Sequence, residues 1–329
     1  MNIKKIGLTA LAGSLVATSA YAGELSVSGG ATITYSEYSG TSTTSVTNAA
    51  ADGNFGMDQD ITASGSGELD NGFVVSLSHA LAASGASSNT SSITVDMGDA
   101  GTLVYSDADV GGGLNALDDI TPTAWEEATD GVVDEAQAGM ATGQGFSYAL
   151  PAIAGASVSI AYSDNLTTSG SVNDGGVSTS GTDNGSSYGI GIKYPVGDVL
   201  TLYGGIGTEG QADGNDLDHQ TIGVKATFGA LSVGIQRNDE DDTAASSATD
   251  LDTTIIGVSF LVNENLSISY GHHNTESSAS STDQEIDSVQ AAYSMGGMTI
   301  KAQNSEGKGI ANTASTTSEK TEILVSFAF

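Results

Sequence analysis

The side chains of this chain that could do chemistry are mostly carboxylates, and they crowd one stretch. From Ala108 to Gly143 the sequence carries Asp109, Asp118, Asp119, Glu126, Glu127, Asp130, Asp134 and Glu135, with Asp107 just ahead and no Lys or Arg among them. Carboxylates gathered in a narrow passage concentrate cations and repel anions. The pairs Asp118, Asp119 and Glu126, Glu127 could also hold Ca²⁺, which takes oxygen ligands. No EF-hand spacing or calcium repeat accompanies them, and acidic pairs in connectors are otherwise simply solvated. No cofactor is required by any other motif.

Catalysis is poorly served. The histidines are His79, His219, His272 and His273, all near the expected ends of strands; His219 or His272 beside Asp216 or Asp218 could act as a base. No residue is marked as a nucleophile and no hydrolase motif occurs, so the chain reads as a non-enzyme. With 40 acidic and 8 basic residues, nucleic acid is excluded as a partner, because neutralising phosphates takes Lys and Arg. The absence of Cys excludes disulfides and thiolate metal sites.

The elements that position these groups are strands. Residues 1–22 are expected to be a Sec-type signal peptide, with a basic start at Lys4 and Lys5, a short apolar run and Ala20-Tyr21-Ala22 before the cut; 23–329 is the mature domain. No window supplies the ~20 apolar residues of a spanning helix, so an exported chain of this kind enters a membrane only as a closed barrel. Period-two alternation recurs throughout, as in Leu25, Val27, Gly29, Ala31, Ile33 and Tyr35 against Ser26, Ser28, Gly30, Thr32, Thr34 and Ser36. It predicts about sixteen strands, at 24–38, 54–69, 73–82, 92–97, 102–107, 144–150, 156–164, 187–195, 198–208, 218–228, 231–238, 251–262, 264–274, 285–294, 298–305 and 319–329. Tight turns and long polar connectors alternate between them, which favours a barrel over a soluble sandwich.

Lumen parity then places Asp58, Asp60, Glu68, Asp96 and Glu322 inward, with Lys193, Lys225 and Lys301 as the only inward bases. In the terminal TEILVSFAF, Ile323, Val325, Phe327 and Phe329 face outward, so the last strand can close on the first and leave no edge. The small outward residues Gly29, Ala31, Ala63, Gly65 and Gly67 suit a surface that packs against protein.

Together GELSVSGGATITY, ELDNGFVVSLSHA, VDMGDAGTLVYSDAD, the long connector after it and the terminal Phe329 resemble a Gram-negative general porin of the alphaproteobacterial type. The resemblance spans the mature chain. It implies an all-β, sixteen-stranded antiparallel transmembrane β-barrel in the outer membrane, assembled as a homotrimer, with the third extracellular loop (108–143) folded inward. It further implies passage of small hydrophilic solutes, contact with outer-membrane lipid, and recognition of Phe329 by the outer-membrane assembly machinery. The single Arg237, at an outward position, departs from the family's basic wall. The constriction is therefore expected from Asp107, Asp109, Asp118, Asp119, Glu126 and Glu127, with Asp58 and Asp60 opposite, in a cation-preferring channel. A barrel adhesin with Ser/Thr-rich surface loops is the alternative.

Overall fold

The computed structural model describes residues 25–41, 53–82, 90–107, 110–118, 120–132, 143–166, 183–211, 215–244 and 249–329. The expected signal segment, 1–22, lies outside them. The strands are β1 Ser26–Gly40, β2 Asn54–Glu68, β3 Val74–Ala82, β4 Thr90–Asp96, β5 Thr102–Ser106, β6 Gln144–Ala149, β7 Ser157–Leu166 and β8 Asp183–Val196. The second half comprises β9 Leu200–Gly210, β10 Asp216–Phe228, β11 Leu231–Asp242, β12 Leu251–Asn263, β13 Leu266–Ser277, β14 Gln284–Met295, β15 Met298–Lys308 and β16 Thr317–Ala328. Each pairs antiparallel with its sequence neighbours, and β16 pairs back to β1, closing a sixteen-stranded barrel.

Alternation builds this wall. Along β14, Gln284, Ile286, Ser288 and Gln290 are buried while Glu285, Asp287 and Val289 are exposed on the outside. Closure falls where the last residue expects it: Gly29 and Phe329 exchange two backbone hydrogen bonds of 3.0 Å each, and Ile323, Phe327 and Phe329 stand exposed on the outer face. Tight turns join alternate strand ends at one rim. In two of them Gly197 and Gly296 take φ of 63° and 60°, a left-handed conformation that costs glycine no Cβ clash.

Several strands run further toward the long-connector rim than alternation predicted. β8 begins at Asp183 rather than 187, β11 reaches Asp242 rather than 238, β13 reaches Ser277 and β15 reaches Lys308. The outward residues there turn from aliphatic to charged, as at Asp239, Asp241, Glu276 and Glu306, so the apolar signal stops. Backbone pairing does not need that signal and continues.

Among the described residues two buried apolar clusters form inside the barrel, and both include the third long connector, hereafter loop 3. One joins Val110, Leu114, Leu117 and Ile120 to Ala161 of β7, with Tyr203 of β9 against it; the other joins Ala128 and Val132 to Ile286 and Ile310.

Candidate functional site

Loop 3 folds inward and lies along the inner wall from β6 to β16. Its first half is a short 3-10 turn, Gly113–Leu117, whose Leu114 and Leu117 are 0% and 2% exposed. Glycines open the wall beneath it. A Cβ added to Gly205 would come within 2.7 Å of Leu114 Cδ1 and 2.8 Å of Leu117 Cδ1, and one on Gly234 within 2.8 Å of Pro122 Cδ. Gly223 and Gly257 are likewise covered by Ile120 and by Thr121 with Pro122, so a track of inward glycines on β9 to β12 receives the loop. That packing is close, and a single methyl group would disrupt it.

Polar side chains of the wall then satisfy the loop's backbone. Ser159 Oγ accepts from Gly113 N at 3.0 Å, Gln236 Nε2 donates to Leu117 O at 2.9 Å, and Ser269 Oγ accepts from Ala124 N at 2.8 Å. Gln290 grips the loop with both ends of its amide: Oε1 accepts from Trp125 N and Glu126 N at 3.0 and 3.2 Å, while Nε2 donates to Glu126 O at 2.6 Å. An irregular backbone inside a barrel needs these partners, since an unpaired buried amide is costly.

The far end of the loop is held by charge. Lys320 of β16, 4% exposed, lies 2.7 Å from Glu322, 3.0 Å from Asp130 and 3.8 Å from Glu126. This corrects the expectation that Lys193, Lys225 and Lys301 are the only inward bases: Lys320 shares the parity of Glu322, two residues away. Burial, with the neighbouring Asp130, pushes the Glu126 carboxyl up to about 8 against the pull of Lys320. Asp130 is held below its usual range, chiefly by hydrogen bonding to Glu126 and also by Lys320. At neutral pH Glu126 thus keeps its proton, and Lys320 balances one of the two remaining charges.

The other expected constriction residues divide. Asp118 and Glu127 are half-buried in loop 3, while Asp109 and Asp119 lie outside the described residues. Asp107 is exposed at the end of β5, where its Oδ1 accepts from Ser91 N at 2.6 Å, at the root of the loop rather than along it. Among the described residues no three carboxylate or imidazole groups come together as metal ligands. The wall that loop 3 leaves bare, β1 to β4, carries Asp58 and Asp60, across from Thr32 and Gly30. They lie ten and eight residues from the tight-turn end of β2, a depth like that of Lys320 on β16.

Glu68 and Asp96 flank Val74 at the tight-turn rim. Lys193, Lys225 and Lys301 each sit three residues from that rim. Lys193 lies over the Tyr203 ring at 5.5 Å and Lys301 over Trp125 at 5.6 Å. Toward the other rim, buried His219 has Glu209 and Glu240 at 3.5 and 3.7 Å, not Asp216 or Asp218. Asp218 is on the outer face with Thr208, and His272 meets Asp287 there at 2.9 Å.

Sequence reasoning missed Lys320, Gln290 and the glycine track. The signal for Lys320 was present in parity; that for the glycines was their recurrence at inward positions of successive strands.

A closed barrel with a loop laid inside it leaves an off-centre passage, and residues 7–303 match a family model described as Gram-negative porin. The chain belongs to the Gram-negative porin family. Solved porins share the fold at low identity. An anion-selective porin from Comamonas acidovorans is 14% identical with a TM-score of 0.63, covering 93% of this chain and 99% of its own. A porin refined at 1.8 Å resolution is 17% identical with a TM-score of 0.65, covering 93% and 100%. A triple mutant of Rhodopseudomonas blastica porin is 14% identical with a TM-score of 0.62, again covering 93% and 100%. No curated protein matched the chain. Family and fold make this an outer-membrane β-barrel channel, with the aliphatic outer belt facing lipid.

Proposed function

We propose that this porin is a cation-preferring channel for passive diffusion of small hydrophilic solutes and ions, narrowed by loop 3. The observation that carries the reading is the charge facing the passage beside the loop. Asp58 and Asp60 stand on the bare wall, and Lys320, the base at comparable depth, is already paired with Asp130 and Glu322. Lys193 and Lys225 lie nearer the tight-turn mouth, where distance and salt screen their effect on the narrow section, while Lys301 reaches the loop at Trp125 as a single positive charge against Asp58 and Asp60. Asp118 and Glu127 add to the acidic side. The relative named anion-selective shares the barrel, so the fold does not choose the sign; the side chains do. The test is the zero-current potential in a KCl gradient: Asp58→Asn with Asp60→Asn should move it toward zero. Anion preference in the unmodified protein would refute the proposal.

The same reading makes the functional unit a homotrimer joined through β1 to β4. Gly29, Ala31, Ala63, Gly65 and Gly67 leave that outer face low. It also carries His79, hydrogen-bonded to Ser91 at 2.8 Å, a polar pair better placed against protein than against lipid.

A further inference from the structure

We infer that the connector after β15, residues 309–316, fixes the position of loop 3 and so sets the size limit of the pore, with Ile310 as the positioning residue. The inference rests on the reading that loop 3 forms the constriction.

This connector, GIANTAST, has one large apolar side chain, and that side chain is completely buried. Ile310 packs with Val132 and Ala128 of loop 3 and with Ile286 of β14, all 0 to 1% exposed. The seat is cut to fit: a Cβ on Gly307 would come within 2.6 Å of Ile310 Cδ1 and 2.9 Å of Val132 Cγ1. An outer connector thus reaches into the barrel and closes over the end of the constriction loop.

The backbone is bent to make this reach. Ala311, Asn312 and Ser315 take φ of 53°, 52° and 64°, left-handed values that L side chains resist. Cross-links hold the bend. Asn312 Nδ2 donates to Thr275 O at 2.7 Å and Thr282 O at 3.1 Å, Ser280 Oγ donates to Asn312 O at 2.6 Å, and Gln284 Oε1 accepts from Ala311 N at 2.9 Å. Thr316 Oγ1 donates to Ile310 O at 3.0 Å. The connector is braced on β13, β14 and the turn between them, so the position of Ile310 is set by the rigid wall and passed on to Val132. Lys320, next along the wall, grips Asp130 two residues before Val132. Charge and apolar packing therefore secure one end of loop 3 independently.

Trp125, the only tryptophan, is in loop 3 and reports on it directly. In the full-length protein Ile310→Ala should raise acrylamide quenching of Trp125 by about twofold or more, as expected when a packed segment opens locally. Single-channel conductance should change with it, while Ile310→Val stays near the parent. A folded Ile310→Ala protein, judged by heat-modifiable migration, with parental quenching and conductance would overturn the inference. Should Ile310→Ala fail to fold, Val132→Ala removes the same contact from the loop side, and the same two readouts decide. An anion-preferring parent whose Trp125 still responds would sink the selectivity reading and keep this one. A cation-preferring parent whose Trp125 does not respond would do the reverse.

Discussion

Glu126 should give this channel a second, alkaline titration of its selectivity. Its carboxyl is pushed from an ordinary 4.5 to about 8, first by burial and then by Asp130. Such a shift corresponds to at most roughly 5 kcal/mol between protonated and ionised forms at ~1.4 kcal/mol per pKa unit. With the side chain 32% exposed, solvent screening reduces the working figure to about 2 kcal/mol. The sign follows from the raised value. The docked loop holds the Glu126 proton more tightly than the undocked one, so this contribution is complete below about 4.5 and is lost as pH rises to about 8. Asp130, held low, works in the other direction, and its contribution is lost on strong acidification. Raising the pH through about 8 therefore adds one negative charge in the passage and loosens the grip on the loop. A univalent ion at ~4 Å from that charge gains on the order of 4 kcal/mol at an effective dielectric of 20, fading over ~8 Å in physiological salt. The assay is the zero-current potential across a planar bilayer in a KCl gradient, stepped from about pH 6 to about pH 9.5. The parent should become more cation-preferring with a midpoint near 8, and Glu126→Gln should lose that step. A flat profile, or the same step in Glu126→Gln, would refute the reasoning.

Gly205→Val places a side chain where Cβ alone is already 2.7 Å from Leu114, an overpacking that costs about 1–3 kcal/mol. The first half of loop 3 should lift, and liposome swelling should admit larger sugars than the parent does; an unchanged size limit would show that the wall yields instead. Cross-linking in mild detergent should trap trimers joined through β1 to β4, and recovery of monomers alone would remove that assembly.

The barrel was legible because lipid on one side and water on the other impose a strict period of two, visible from Leu25 to Tyr35 and again in Ile323 to Phe329. What was hidden follows from the same cause. Past the aliphatic belt the outward residues of β11 and β15 become charged, so the pattern that identifies strands vanishes while the ladder continues. The acidic stretch announced loop 3, but its neighbours along the wall come from strands far along the chain, as Lys320 does for Asp130, 190 residues away. Glu126 looked like a selecting charge because a sequence does not reveal burial. Ile310 carried no signal in the sequence because its buried position depends on a bend at Ala311 and Asn312 that L-residues seldom adopt.

The order in which the anchors of loop 3 occur along the chain has a consequence for assembly. Every strand of its seat, from Ser159 through Gln236, Ser269 and Gln290 to Lys320, comes later in the sequence than the loop. A chain that lays down its strands in order can seat the first part of loop 3 on β7 to β9, but must carry the part from Trp125 to Val132 unseated until β14 to β16 exist. The last anchor arrives on β16, the strand that pairs with β1. The Lys320 grip on Asp130 is therefore completed by the same strand that closes the ring, so the narrow pore is finished only when the wall around it is whole.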